Sequence, residues 1–525
     1  MFKLHTRLLL VFFIYILFIS QNLFAKSPKI NILVAQYEKS LEFVMPEGGI
    51  WNVGNINHGD ILPGVVYKIE GQLNEPSQQK FHLMVATVDL IDDSKLMDIS
   101  EKYQKLGFRT HTICVGETPN KSGLPDNRVI HIGIDCFDDK EKAEEKKSEY
   151  ASKQIKTWIY IENIISSSGV LSLSNKKGII AKANKTGFSL KSKNGTTLKK
   201  VEHSKGYSWH GFEDRLYNGN VIINFGFDNC IDCVENTELE DLIVGVVPSE
   251  ISSKAPKAAM EAQAVAARGE ILSKKGQRHV NSGYEYCAEQ HCQVYKGYQK
   301  ISAKIKENIE ETSGIILMRK DKNKILDAVY SSNCGGHSSA NQNIWIGEPN
   351  PHLQGVSDEK IKSKRNLTNE KEVAEYILHA PVSWCGIEGY EGASKYRWSK
   401  TIDEKAWSEI EKRADIGKIK DCKILKRDVS GRIFEMKLTG TKATKTFINE
   451  LEIRQLFGSL RSSCFIAEYK KNKQGLITSA ILHGAGFGHG VGMCQTGAQS
   501  MAGFGYQYQY ILSHYFPNAR FVKLY

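Results

Sequence analysis

The sequence predicts an α+β protein: a small βαββαβ module ahead of a larger, strand-rich domain that contains packed helices. Three observations lead there. Between residues 80 and 165, strand-like and helix-like periodicities alternate in the order βαββαβ. Residues 165–226 then show period-two alternation broken by Asn-Gly turns, as in "KSKNGTTL". From 238 to 276 an apolar run and an Ala-rich run, parted by Pro248 and Pro256, read as two helices able to pack closely. At 525 residues, with 41% hydrophobic and 25% charged residues, the chain can bury more than one core and is not a disordered polymer.

Taken in order, residues 1–25 read as a signal peptide. Lys3 and Arg7 precede the apolar run "LLLVFFIYILFIS", and Ala25 offers a cleavage site. A retained signal anchor is the alternative, and no other run is long enough to span a membrane. The mature protein is therefore expected outside the cytoplasm, in the periplasm or cell wall. Removing Lys3 and Arg7 lowers the formal charge from +11 to about +9. That charge suits an anionic surface or a glycan polymer, and export excludes nucleic acid as a partner.

Residues 26–79 form an N-terminal β segment opened by the strand "INILVAQ" (30–36). The module at 80–165 places strands at 81–88, 109–116, 128–137 and 156–164, with helices at 93–107 and 138–154. Leu96, Ile99 and Tyr103 share one face of the first helix, and the charge run 139–148 is a solvated face of the second. Its order and lengths, with "MVATVD" and "KYQKLGF", resemble an SPOR domain, with which many bacteria hold glycan strands stripped of stem peptides. A ferredoxin-like module without a ligand has the same pattern. Residues 166–204 read as a β-rich linker region, and 205–525 as the principal domain.

In "LEDLIVGVVPSEI" the apolar stretch runs into Pro248, and Glu250 is expected in the break that follows. The next helix starts near Pro256 and carries Met260, Ala264, Ala267 and Ile271 at helical spacing. A carboxyl held between packed helices loses hydration, its pKa rises, and it becomes usable as a general acid near neutrality.

Four more features carry possible chemistry. Cys287 and Cys292, flanked by His279 and His291, have ligand types suited to zinc; a Cys287–Cys292 disulfide or free buried thiols are the alternatives. Cys230 and Cys233 form a Cys-x-x-Cys among acids that oppose a thiolate, so a small disulfide or a surface pair is expected. In "SSNCGGHSSA", Cys334 and His337 lie in a polar turn, and a Cys-His nucleophile there is the sharp rival to a groove lining. Finally, Gly484, Gly486, Gly488, Gly490 and Gly492 alternate along "GAGFGHGVG". A one-sided glycine face on an extended segment suits close approach of a partner backbone or a flat sugar ring.

Three separate stretches resemble the SpoIID/LytB family of bacterial cell-wall proteins: "LEDLIVGVVPSEI" with "APKAAMEAQAVAAR", "AVYSSNCGGHSSANQNIW", and "GFGHGVGMCQTGAQSMAGFGYQYQYILSHYFPNA". The resemblance covers roughly 205–525. It implies a lytic transglycosylase that cleaves the β-1,4 bond between N-acetylmuramic acid and N-acetylglucosamine in stem-peptide-free glycan. The products end in 1,6-anhydro-muramic acid. By the same match Glu250 is the catalytic acid, and Ser332, Gly335, Gly488, His489, Gly490 and Gln495 line the substrate groove, with a core role the alternative for His489. The zinc ligands implied are His279, Cys287 and Cys292, with His291 as the alternative histidine, in a structural role. Where the family pattern has Ser before Gln495, this chain has Cys494, for which zinc or disulfide roles stay open. The partners implied are peptidoglycan strands and an amidase, in cell-wall remodelling or division. Some relatives are non-enzymatic amidase enhancers, and that is the rival function.

Overall fold

The computed structural model describes residues 27–54, 57–90, 92–117, 124–205, 210–298, 301–345 and 347–525. The expected signal peptide lies outside the described residues. The opening strand of the N-terminal β segment, Lys29–Tyr37, does not stay local but runs antiparallel to Ile231–Glu238, some 200 residues away. That pair belongs to a seven-stranded sheet which also holds Asn220–Phe225, Phe188–Ser192 and Gly49–Val53. A six-stranded sheet collects Ser40–Val44, Val66–Glu75, Ser168–Asn175 and Thr196–His203. Alternate side chains of both enter one core, with Phe43, Tyr67 and Leu171 from the second sheet and Ile32, Leu190 and Ile223 from the first. The segments read separately as 26–79 and 166–204 thus interleave with 211–238, and 166–204 supplies strands to both sheets rather than linking two bodies.

The βαββαβ order appears as expected, as an insertion within this double-sheet body. Val66–Glu75 pairs antiparallel with Ser168–Asn175, and everything between them forms the module. Its four antiparallel strands lie in the order His111–Val115, Val129–Phe137, Gln78–Asp89, Trp158–Ile165. Helices Asp93–Lys105 and Lys140–Ser152 cover one face around Leu83, Val85, Ile132 and Ile134. The other face presents His131, Trp158 and Tyr160.

The helix Leu239–Glu250 starts where strand Ile231–Glu238 ends, and it buries Leu239, Leu242, Ile243, Val246 and Val247. It continues through Pro248, contrary to the sequence reading. Only two helical residues follow the proline, so its missing N–H costs one bond near the end. The break falls at Ile251, which is extended at φ −127° and ψ 155°. Helix Lys257–Ser273 opens with Pro256 at its cap and is buried along most of its length. Its alanines let Gln495–Gly503 and Tyr508–Tyr515 pack against it. A further body around Trp407, Ile433 and Leu482 unites two three-stranded sheets with helix Glu404–Ala414.

Candidate functional site

Glu250 closes its helix with its carboxyl turned towards the segment after the Cys/His cluster. Its Oε1 accepts the Val294 N–H at 2.6 Å, and its backbone carbonyl accepts Gln495 Nε2 at 3.0 Å. The same Gln495 amide lies 3.3 Å from Gln263 Oε1 on the neighbouring helix. Burial pushes the Glu250 carboxyl up to about 7; the Val294 amide and Lys296 oppose this, while the Glu270 carboxylate adds to it. Tyr330, which lies in the field of Glu250, has a fully buried hydroxyl that faces the Gln263 side chain.

A groove of about 1220 Å³ opens between the module and the principal domain. Trp158, Tyr160 and His131 on the open sheet face form one wall. His279, His291 and Arg278 form another, and Trp345 with Gly488 and His489 a third. Aromatic faces backed by cations suit sugar rings and their hydroxyls. Glu250 itself does not line this groove. The connection runs through Glu270, which pairs with Lys274 at 3.2 Å and Arg278 at 4.0 Å, both groove residues.

His279, Cys287, His291 and Cys292 converge so that one donor atom from each lies within 4.8 Å of all the others. His279 Nε2 is 3.3 Å from Cys292 Sγ, and His291 Nδ1 is 3.4 Å from Cys292 Sγ and 3.7 Å from Cys287 Sγ. A tetrahedral zinc ion with bonds of about 2.0–2.3 Å needs ligand separations of roughly 3.4–3.8 Å, so this Cys2His2 set fits one. Both histidines are brought in, where the sequence offered His291 only as a substitute. His279 adopts the left-handed region at φ 51°, and Arg278 bonds the His291 carbonyl at 2.9 Å. The two thiols are not joined, and none of the eleven cysteines is in a disulfide, Cys230 and Cys233 included.

The glycine run behaves differently from the extended face the alternation suggests. Ile477–Ala485 is a strand, but Gly486, Gly488, Gly490 and Gly492 all take positive φ between 74° and 94°. Their bareness mostly serves the protein itself. A Cβ on Gly492 would lie 2.0 Å from the Val329 carbonyl, and one on Gly490 would lie 2.3 Å from the buried Arg432 guanidinium carbon. Gly488 is the groove-facing member. His489 stacks obliquely on Trp345, with ring centroids 4.9 Å apart. The Val491 amide donates to its Nδ1 at 3.1 Å, so the proton resides on Nε2, directed to the Tyr330 carbonyl. Burial and the Arg432 and Arg454 guanidiniums pull its pKa down to about 3, which keeps the ring neutral.

The remaining expected contacts divide. Gln495 reaches the Glu250 backbone, as described. Ser332 Oγ accepts Lys395 Nζ at 3.0 Å, and Gly335 is packed against the Ala485–Gly486 backbone. Neither lines the groove. His337 bonds the Ser338 carbonyl and burial lowers its pKa; its Nδ1 is committed there rather than to the Cys334 thiol. Sequence reading missed Tyr330, Lys274, Arg278, Trp345, Trp158 and Tyr160, which become neighbours only through the fold.

Residues 228–318 match the family model described as Stage II sporulation protein, and residues 339–492 match one described as a domain of unknown function. An uncharacterized protein of Brachyspira hyodysenteriae is 27% identical over 323 residues, covering 60% of this chain and 74% of the relative. A Stage II sporulation protein D of Bacillus amyloliquefaciens is 27% identical over 299 residues, covering 54% of this chain and 74% of the relative. An amidase enhancer of Bacillus subtilis is 25% identical over 295 residues, covering 52% of this chain and 39% of the relative. The chain thus spans about two-fifths of that enhancer's length.

Proposed function

We propose, from the premise that this chain belongs to the SpoIID/LytB family, that it is a lytic transglycosylase of stem-peptide-free peptidoglycan with Glu250 as its acid and base. The observation that carries this reading is a carboxyl whose pKa is pushed to about 7 by burial, a push that the Val294 amide and the Gln495 side chain oppose without overcoming. Such a group is about half protonated near neutrality and can give its proton to the glycosidic oxygen as the C1–O4 bond breaks. The C6 hydroxyl of the same muramic acid then attacks C1, and its proton passes to the Glu250 carboxylate. No water is consumed, so the second carboxylate that a hydrolase needs is dispensable.

In this reading the groove's aromatic wall carries the glycan, and the inserted module holds strands that an amidase has already stripped. The Cys2His2 cluster would hold zinc as a structural tie beneath Arg278, since its four protein donors leave no open position. An exported location, in the periplasm or wall, follows from the same premise.

The test is digestion of denuded glycan by the purified mature protein, with anhydro-muramic ends counted by mass spectrometry. Wild type is expected to produce them and Glu250→Gln to produce almost none. The second reading, a non-catalytic amidase enhancer, is favoured by the Bacillus subtilis relative. It predicts no anhydro ends from either protein, together with faster stem-peptide release when an amidase is added.

A further inference from the structure

A second cluster lies apart from the groove and has no part in the chemistry above. Cys334, Cys385, Cys494 and Asp358 come from four separate segments, and one donor atom from each lies within 4.8 Å of all the others. All four are buried, Asp358, Cys385 and Cys494 at 0% exposure. We propose that these residues form a metal site that binds one zinc-class divalent cation through three thiolates and a carboxylate.

Four observations support it. The Cys334 and Cys385 sulfurs are 3.6 Å apart, close to the roughly 3.7 Å edge of a tetrahedron with zinc–sulfur bonds of about 2.3 Å. Cys494 Sγ accepts two backbone amides, from Cys334 at 3.2 Å and Gly497 at 3.4 Å, an arrangement that stabilises a metal-bound thiolate. Asp358 is oriented by its surroundings, accepting the Tyr515 hydroxyl at 2.7 Å and the Cys385 amide at 3.0 Å. Yet among the described residues no Lys or Arg pairs with it, and a buried carboxylate calls for a compensating positive charge. The nearest cationic candidate, His514 Nε2, is buried, stands 3.5 Å away and makes no hydrogen bond.

A disulfide accounts for less. Joining Cys334 to Cys385 leaves Cys494 as a lone buried thiol and Asp358 uncompensated, whereas a divalent cation engages all four donors. Three soft sulfur ligands favour zinc over magnesium or calcium. With four protein ligands the site is closed, which is the arrangement of a structural ion. Its place explains what it would fasten. Cys494 caps the helix Gln495–Gly503, whose first residue holds the Glu250 carbonyl, and Cys334 lies in the turn that Gly486 packs against. The ion would tie the 334 turn, the 385 turn and the 494 cap into one unit beside Glu250.

The test compares zinc per chain, by elemental analysis, in wild type and Cys494→Ser after zinc reconstitution. Serine is the residue that the family pattern carries at this position, so the variant is expected to fold. Wild type should hold one zinc ion more than Cys494→Ser, and cobalt loading should give thiolate-to-cobalt absorption that weakens in the variant. Equal metal content in the two proteins overturns the proposal. So does a denatured mass showing two hydrogens lost to a Cys334–Cys385 disulfide. Should Cys494→Ser fail to fold, the Cys287→Ser/Cys292→Ser variant decides: one retained zinc supports the second site, and none overturns it. Neither outcome depends on whether Glu250 cleaves glycan.

Discussion

The helix Leu239–Glu250 carries a glutamate near each end, and the two are treated in opposite ways. Glu240 in its first turn is gripped by Arg268, whose Nε and Nη2 reach its two oxygens at 2.8 and 2.7 Å. The Gly314 amide and the Tyr525 hydroxyl complete its shell. Although burial opposes ionisation, these partners hold the Glu240 carboxyl below its ordinary range. Glu250 in the last turn meets the Val294 amide and the Gln495 side chain but no guanidinium, and burial prevails. The helix dipole runs the same way, favouring a negative charge at the first turn and opposing one at the last. One helix thus holds a fixed anion that anchors the fold and a carboxyl still able to give up a proton. What separates a fixed anion from a carboxyl that can hold a proton here is the partner, not the depth.

That contrast can be broken in four places. The largest effect is expected at Glu250→Gln, which should lower the rate of anhydro-end formation by about 100-fold or more while leaving the circular dichroism spectrum unchanged. A variant that retains the rate removes Glu250 from the mechanism. Arg268→Ala should instead act on the fold. It strands Glu240 and removes a fully buried guanidinium, at a cost of about 3 kcal/mol or more in a urea titration.

The pH dependence comes next, and the two ends should move in opposite directions. Ionising Glu250 is unfavourable in the folded state, so its stabilising contribution is complete below the ordinary glutamate pKa and is lost as pH rises through about 7. Glu250→Gln should therefore raise the melting temperature relative to wild type at pH 8 but not at pH 4. The activity of wild type should fall over the same rise as the acid is lost. Glu240 contributes above its ordinary pKa, and that contribution fades as acid protonates it. The smallest effect is expected in the groove. Trp345→Ala removes a partly exposed ring stacked on His489, at a cost of about 1 kcal/mol in glycan affinity, measured by retention on denuded glycan.

The two clusters of cysteine show why some chemistry was legible in the sequence and some was not. Cys287, His291 and Cys292 sit within six residues, and His279 is close behind, so the donor types could be seen together. Cys385 lies 51 residues from Cys334 and 109 from Cys494, and nothing near it signals a ligand. The Asp358 carboxylate is equally silent until the fold encloses it.

Local physics determined much of the rest from sequence alone. Period-two and helical patterns placed the βαββαβ elements and Pro256 marked a helix start, while Glu250 was singled out by the resemblance of its motif to the family's. These rest on neighbours a few residues apart, whose side chains face one way whatever the distant chain does. Tertiary structure alone decided that Lys29–Tyr37 joins Ile231–Glu238 and that the module is an insertion. It also decided that the glycines at 490 and 492 make room for Arg432 and the Val329 carbonyl instead of for sugar. Those outcomes depend on which surfaces meet across hundreds of residues, and only the assembled core sets that.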